Sequence, residues 1–298
     1  MNKQINTTLA IAIIIIVAGI VSGAIWFGKK EQNKEIKTPA MQVSKKNAPI
    51  NTTTTTPADN QAIDSMKICD GISQITDSRD TNNPIYNTVA IGTQCWLNRN
   101  LNVGRMIKGV NNQKNNKVIE KYCSSDDENN CDTDGGLYLW DEAMQYEKVD
   151  GVQGVCPIGW HIPSDKDWVV LESYLVGIKQ EDCNNFETFT WGCDCSGSRV
   201  GSGCTPAGDR LKPASLCGQN EKPYCGDSGF NAVYAGDARS DYPRFWQRND
   251  IGYLWSSTTY NSSSSWGRII IAKWNDGVIR GMYFNTNGFS VRCIKNKK

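Results

Sequence analysis

All twelve cysteines of this chain lie at or beyond Cys69, and the long apolar run, Leu9 to Phe27, lies before them. An even cysteine count placed wholly downstream of an N-terminal apolar segment reads as a disulfide framework formed in an oxidising compartment. Zinc is the rival use of so many thiols. The only close doublet is Cys193-Asp194-Cys195, no C-x-x-C occurs, and His161 is the sole histidine; these are not the ligand spacings of a tetrahedral zinc site. Two cysteines stand out. Cys156 opens Cys156-Pro157-Ile158-Gly159-Trp160-His161-Ile162-Pro163-Ser164, a short aromatic strand running into a helix start, and Cys293 ends the terminal segment Gly288-Phe289-Ser290-Val291-Arg292-Cys293. The pair implies a domain whose two distant ends are tied by one bridge.

Leu9 to Phe27 carries no charge. As a helix it reaches about 28 Å, close to the hydrocarbon thickness of a bilayer. Lys3 precedes it and Lys29 and Lys30 follow, which does not favour a cytoplasmic N-terminus. The cysteines do favour it, because they need the C-terminal part exported. The expectation is a single-pass cell-membrane anchor at residues 1–28, with the membrane contacted through residues 9–27 and the C-terminal domain extracytoplasmic. The alternative is secretion after signal cleavage, since Ser22-Gly23-Ala24 offers small residues after an apolar core. Residues 29–67 are rich in Thr, Lys and Asn with few large apolar side chains, so burial cannot offset their ordering entropy. They read as a disordered linker or stalk. The formal charge is +1, and no global field argues for nucleic acid.

The folded part is expected over 68–298. Val89-Ala90-Ile91 and Cys95-Trp96-Leu97 read as strands around a Gly92 turn. Leu137-Tyr138-Leu139-Trp140 leads into a helical stretch at Asp141-Glu142-Ala143-Met144. Ser164-Asp165-Lys166-Asp167 has the wording of a capping box, and Trp168, Leu171 and Leu175 follow on one helical stripe, giving a helix that ends near Gly177. Residues 180–228 hold six cysteines, many glycines and little periodicity, and read as a disulfide-stapled loop insertion. Tyr253 to Ser257 is a strand. Ile269–Trp274 and Val278–Phe284 flank Asn275-Asp276-Gly277, a hairpin signal in which the turn residues would supply positive φ. Phe289–Ile294 is a last strand.

Several of these pieces occur together in a known family. Tyr86-Asn87-Thr88-Val89-Ala90-Ile91-Gly92-Thr93-Gln94-Cys95-Trp96 with Asn100-Leu101, then Gly136-Leu137-Tyr138-Leu139-Trp140, Cys156-Pro157 through Trp168, Gly229-Phe230-Asn231-Ala232, Trp255-Ser256-Ser257 and Phe289-Ser290-Val291-Arg292-Cys293 follow in order. Over roughly residues 75 to 295 the chain resembles the Fibrobacter succinogenes major paralogous domain (FISUMP) family. The resemblance implies an α+β, C-type lectin-like domain rich in short antiparallel strands with about two helices, in which the N- and C-terminal strands lie side by side. It also implies bacterial surface proteins with no settled biochemical activity. Resemblance and sulfur chemistry together give the pairings Cys156–Cys293, Cys123–Cys131 and Cys69–Cys95. Cys183, Cys193, Cys195, Cys204, Cys217 and Cys225 are left with fifteen connectivities, local pairing being favoured.

Four features compete as sites. Trp274-Asn275-Asp276 has the wording of the calcium tripeptide of sugar-binding C-type lectins, but its companion Glu-Pro-Asn or Gln-Pro-Asp is absent, and a turn accounts for it. Asn130, Asp132, Asp134 and Asp141, with Gly135, match the spacing of a calcium loop; Cys131, assigned to a bridge, sits inside it, and a turn is again the simpler account. No cofactor is expected, with calcium at these four residues as the alternative. His161 could act as a base but lies beside the helix cap, where a structural hydrogen bond is expected. The formylglycine-generating enzymes have a related fold, yet nothing here matches their catalytic cysteine region. The loop Asp241 to Asn249 is the leading ligand contact, through Tyr242, Arg244, Phe245, Trp246 and Arg248: exposed aromatics stack on sugars or anchor interfaces and arginine adds forked donors. The rival is that Phe245 and Trp246 pack beneath the loop. The sequence therefore leads to a non-enzymatic surface protein for recognition or adhesion, with a glycan or surface protein as partner. A structural envelope protein is the alternative, and an enzyme the last.

Overall fold

Ile294 seats the end of the chain in the middle of a sheet. In the computed structural model it pairs with Trp96 on one side and His161 on the other. Residues 67–79, 84–178, 201–217, 222–241, 244–273 and 275–297 are described. The expected anchor and nearly all of the linker lie outside them. Among the described residues, no helix is long and apolar enough to cross a membrane.

The five-stranded sheet runs β1 (Gln74–Thr76), β2 (Ile85–Ile91), β3 (Gln94–Leu97), β15 (Ile294–Lys295) and β7 (Trp160–His161). All its pairings are antiparallel. Ile294 and Trp96, paired in this sheet, lie far apart in the chain, so sulfur bridges that join such distant segments have a large effect. Cys156–Cys293 closes a separation of 137 residues, and Cys293 O accepts from Leu97 N at 3.0 Å. Cys69–Cys95 ties the entry segment to β3, and Cys123–Cys131 closes a short loop. A fourth bridge, Cys217–Cys225, is local.

Arg292, next to Cys293, is fully buried, and its hydrogen bonds go to amide and carbonyl oxygens rather than to a carboxylate. Its guanidinium donates to Asn100 Oδ1 (2.9 Å), Leu97 O (3.3 Å), Asn231 O (3.2 Å) and Phe230 O, and lies 4.2 Å from the Phe230 ring centroid. Burial pulls its pKa down to about 9. The terminal segment is thus held by oxygens from two distant stretches, 97–100 and 230–231, as well as by sulfur. Phe230 in turn meets Trp96 and Trp168 at centroid distances of 5.7 and 6.0 Å, and those two rings sit 5.0 Å apart.

The second large sheet is β11 (Ile251–Thr259), β12 (Ser264–Ile271), β13 (Val278–Phe284) and β8 (Gly201–Gly203). A third contains β10 (Phe245–Trp246), β9 (Asp237–Ala238), β14 (Gly288–Phe289) and β6 (Tyr138–Leu139). A parallel pair joins β4 (Arg105–Met106) to β5 (Glu120–Lys121). Between the sheets lies the helix Asp165–Leu175. Ser164 and Asp167 form the expected capping box at its start, and Trp168, Leu171 and Leu175 bury its apolar stripe. The described chain is an α+β, disulfide-rich domain.

Three expectations change. Besides the long helix there are short helices at Glu128–Asp134, Trp140–Ala143 and Ala207–Leu211, more than about two. Part of the 180–228 insertion is not loop: β8 completes the second sheet, and Ala207 and Leu211 are buried in the core. Its residues 180–200 and 218–221 lie outside the described residues. The β12–β13 hairpin forms, but neither Asp276 nor Gly277 has positive φ. The glycine at 277 serves close packing instead, because a Cβ there would lie 2.5 Å from Gly203 O.

Under chain-entropy arithmetic a closure of this length constrains the unfolded state by about 5 kcal/mol, against about 2.5 kcal/mol for an eight-residue loop. The paired substitution Cys156→Ser/Cys293→Ser is therefore expected to lower the melting temperature by roughly 10–20 °C, and Cys123→Ser/Cys131→Ser by roughly half as much. Equal losses on calorimetry would remove the long bridge from its leading role.

Candidate functional site

Side chains alternate across a strand, and the register of β12 against β13 puts Ile270, Arg268, Trp266 and Ser264 on one face with Val278, Arg280, Met282 and Phe284. This face changes character along its length. Ile270 and Val278 are core at the inner end. Next come Arg268 and Arg280, both buried, which need anions. The long helix supplies them: Arg268 Nη1 donates to Asp165 Oδ1 at 2.8 Å and its Nε to Glu172 Oε1, while Arg280 grips Asp165 through Nε (2.9 Å) and Nη2 (2.7 Å). Two cations thus meet two anions. Burial alone would raise the Asp165 pKa, but hydrogen bonds and charge from Arg280 and Arg268 outweigh it and hold the carboxyl below its usual range.

Beyond this network the face opens. The Arg280 guanidinium lies 3.4 Å from the centroid of the Trp266 ring, and Tyr260 meets the same ring edge-on at 5.2 Å. Met282, directly opposite Trp266, is 39% exposed; Phe284 is 65% and Tyr260 49% exposed. Four large apolar side chains therefore stand together at the outer end of a stiff hairpin, backed by a neutralised ion network. Aromatic groups held this way offer large contact area with little further loss of side-chain freedom. The arrangement can stack on a sugar or seat a partner side chain. Asp165 and Glu172 are both engaged by the arginines behind it.

The residues expected to form the ligand loop are divided. Tyr242 lies outside the described residues. Arg244 sits over the Tyr122 ring at 4.7 Å, and Phe245 is half-buried against Tyr122, Leu137, Ala235 and Ala238. Arg248 Nε pairs with Asp134 Oδ2 at 2.5 Å. Three of the five are thus tied into the fold, as the packing alternative held for Phe245. Trp246 remains 44% exposed, with Arg239 at 5.5 Å from its ring.

The calcium loop does not form. Asn130, Asp132 and Asp134 lie on the helix Glu128–Asp134, Asp141 lies on the next one, and Cys131 is bridged. A helix turns about 100° per residue, so alternate positions point away from one another. Among the described residues, no group of three acids, histidines or cysteines is placed to share a metal ion. Trp274 lies outside the described residues; Asp276 accepts from Lys222 Nζ at 2.7 Å and Thr205 Oγ1 at 3.2 Å, and Asn275 Oδ1 accepts from Gly277 N at 2.8 Å. His161 Nδ1 is 2.6 Å from Asn296 Oδ1 and its Nε2 3.5 Å from Asp167 Oδ2, a bridging position between helix cap and terminal segment.

Sequence reading missed Tyr260, Trp266, Met282 and Phe284. The run Asn261-Ser262-Ser263-Ser264-Ser265 reads as loop, so β12 was expected to begin at Ile269 rather than Ser264. The period-two alternation Arg280, Met282, Phe284 was the available signal.

The family model of the Fibrobacter succinogenes major domain matches residues 89–295. The chain belongs to that family. No curated protein and no solved structure matches it. The stretch that carries the Fibrobacter succinogenes major domain takes in the whole exposed hairpin, the ion network behind it and the terminal strand; Cys69 and β1 precede it.

Asp165 titrates lower in the folded state than in the unfolded chain. Its contribution is complete above the unfolded value near about 3.9 and is lost as pH falls through the folded value. Asp165→Asn is expected to cost about 3–5 kcal/mol at neutral pH, by leaving buried arginine charge uncompensated, and to make the fall in stability below about pH 4 shallower. Chemical denaturation across pH 2–7 checks both; parallel curves for the two proteins would count against the network.

Proposed function

We propose that this chain is a non-enzymatic recognition protein of the bacterial cell surface, and that the outer end of the β12–β13 hairpin is its ligand-contacting face. The exposed side chains of Tyr260, Met282 and Phe284, grouped around a half-buried Trp266, carry the reading. Large apolar side chains grouped on one strand face mark interaction sites more often than singly scattered ones do, and the ion-paired base of this group keeps it rigid. The bridges support an extracytoplasmic location, and the apolar run 9–27 supports a membrane anchor holding the domain outside the cell.

The fold reading that fits best is C-type lectin-like. The adjacency of β3 and β15, with a long-range bridge beside them, supports it. Fold alone does not specify a ligand; the ligand class proposed is a glycan or a surface protein presented to the aromatic face.

The full chain would be tested on glycan arrays and on whole cells. Phe284→Ser is the first variant, because Phe284 is mostly exposed; Trp266→Ala is the second. Each is expected to weaken binding at least about tenfold, as loss of an aromatic anchor does, while Phe284→Ser leaves the melting temperature unchanged. Trp246→Ala is expected to retain binding. Unaltered binding by both hairpin variants, or no binding to any surface, would return the chain to a purely structural envelope role.

A further inference from the structure

The parallel pair β4–β5 borders a cleft of about 730 Å³, within the size range of ligand sites. Four cations line it, Arg79, Arg105, Lys117 and Lys121, against one acid, Glu128, and Val118 adds apolar surface between them. The formal charge of the chain is only +1, so this concentration is local.

Neighbouring acids do not cancel it completely. Asp77 is buried and takes Arg79 Nε and Nη2 at 2.9 and 2.6 Å. Glu120 is buried and accepts from Arg105 Nη2 (2.8 Å), Lys114 N (3.0 Å) and Asn116 Nδ2 (3.1 Å). Burial would raise the Glu120 pKa, but these bonds outweigh it and hold the group below the usual carboxylate range. Arg105 spends one Nη2 bond on Glu120 and its side chain is 63% exposed, leaving forked donors turned outward. Lys117 is exposed and has no bonded partner among the described residues.

We propose that this cleft binds an acidic oligosaccharide, with Arg105 and Lys117 taking its carboxylate or phosphate groups and the apolar lining taking ring faces. A cleft of this volume is far larger than one small anion, and its cations come from separate chain positions around it, which fits a ligand of several rings bearing spaced charges. Guanidinium recognises both carboxylate and phosphate through paired donors. The site is separate from the exposed hairpin and stands without it.

The test uses the full chain on immobilised polygalacturonate, its fully methyl-esterified form, phosphorylated mannan and unmodified mannan. Binding is expected on at least one charged polymer and not on its neutral counterpart, and is expected to weaken with added salt. Lys117→Gln with Arg105→Gln should reduce it at least about tenfold, Lys117→Glu should reduce it too, and Ile158→Ser, at an exposed residue outside the cleft lining, should leave it unchanged. Lys117→Gln alone touches no internal contact and keeps the test valid if loss of the Arg105–Glu120 pair lowers stability. Which charged polymer is retained separates carboxylate from phosphate. Equal binding of the neutral forms, binding of neither charged form, or full binding by the folded cleft variants would overturn the proposal.

Discussion

The seating of the last strand between β3 and β7 is the constraint on which the rest depends. Backbone pairing there joins three chain regions that are far apart in sequence, and closing such distances carries a large entropic cost that local structure cannot repay early. Two devices hold the closure. The Cys156–Cys293 bridge removes freedom from the unfolded chain. The buried Arg292 guanidinium collects three carbonyls from two distant segments and so converts one side chain into a multi-point clasp. An arginine buried without an acid is tolerable only because its donors are so widely met.

A second charge cluster has the opposite logic. Arg268 and Arg280 are buried within a hairpin and the helix Asp165–Leu175 carries the acids that answer them. This joins helix to sheet and leaves the Arg280 guanidinium stacked behind Trp266. Rigidity at the inner end of the face is what permits exposure at the outer end. An aromatic cluster on a mobile tip would lose freedom on binding; one braced by ion pairs has little left to lose.

Legibility followed the range of the interaction. The capping box at Ser164, the stripe Trp168–Leu171–Leu175 and the strands flanking Gly92 were readable because each rests on neighbours a few residues away. The hairpin around Asn275 was readable in position but not in mechanism, since the need for glycine at 277 comes from Gly203, across the sheet. The Gly201–Leu211 stretch looked like loop because glycine and cysteine hide periodicity, yet β12 and β13 draw it into the core. The loop 241–249 looked like a ligand contact because it is aromatic and basic; Tyr122, Asp134 and the small cluster beneath it turned three of its five residues inward.

By itself the sequence determined what rests on near neighbours in the chain: the capping box and apolar stripe of one helix, the strands around Gly92, and an even set of thiols able to bridge. Tertiary structure alone decided which surface is left over. Trp266, Met282 and Phe284 differ little from buried residues in the sequence. Met282 and Phe284 are exposed and Trp266 is half-buried because β12 and β13 outrun the helix that covers their inner half, and that mismatch of lengths exists only once both elements are packed.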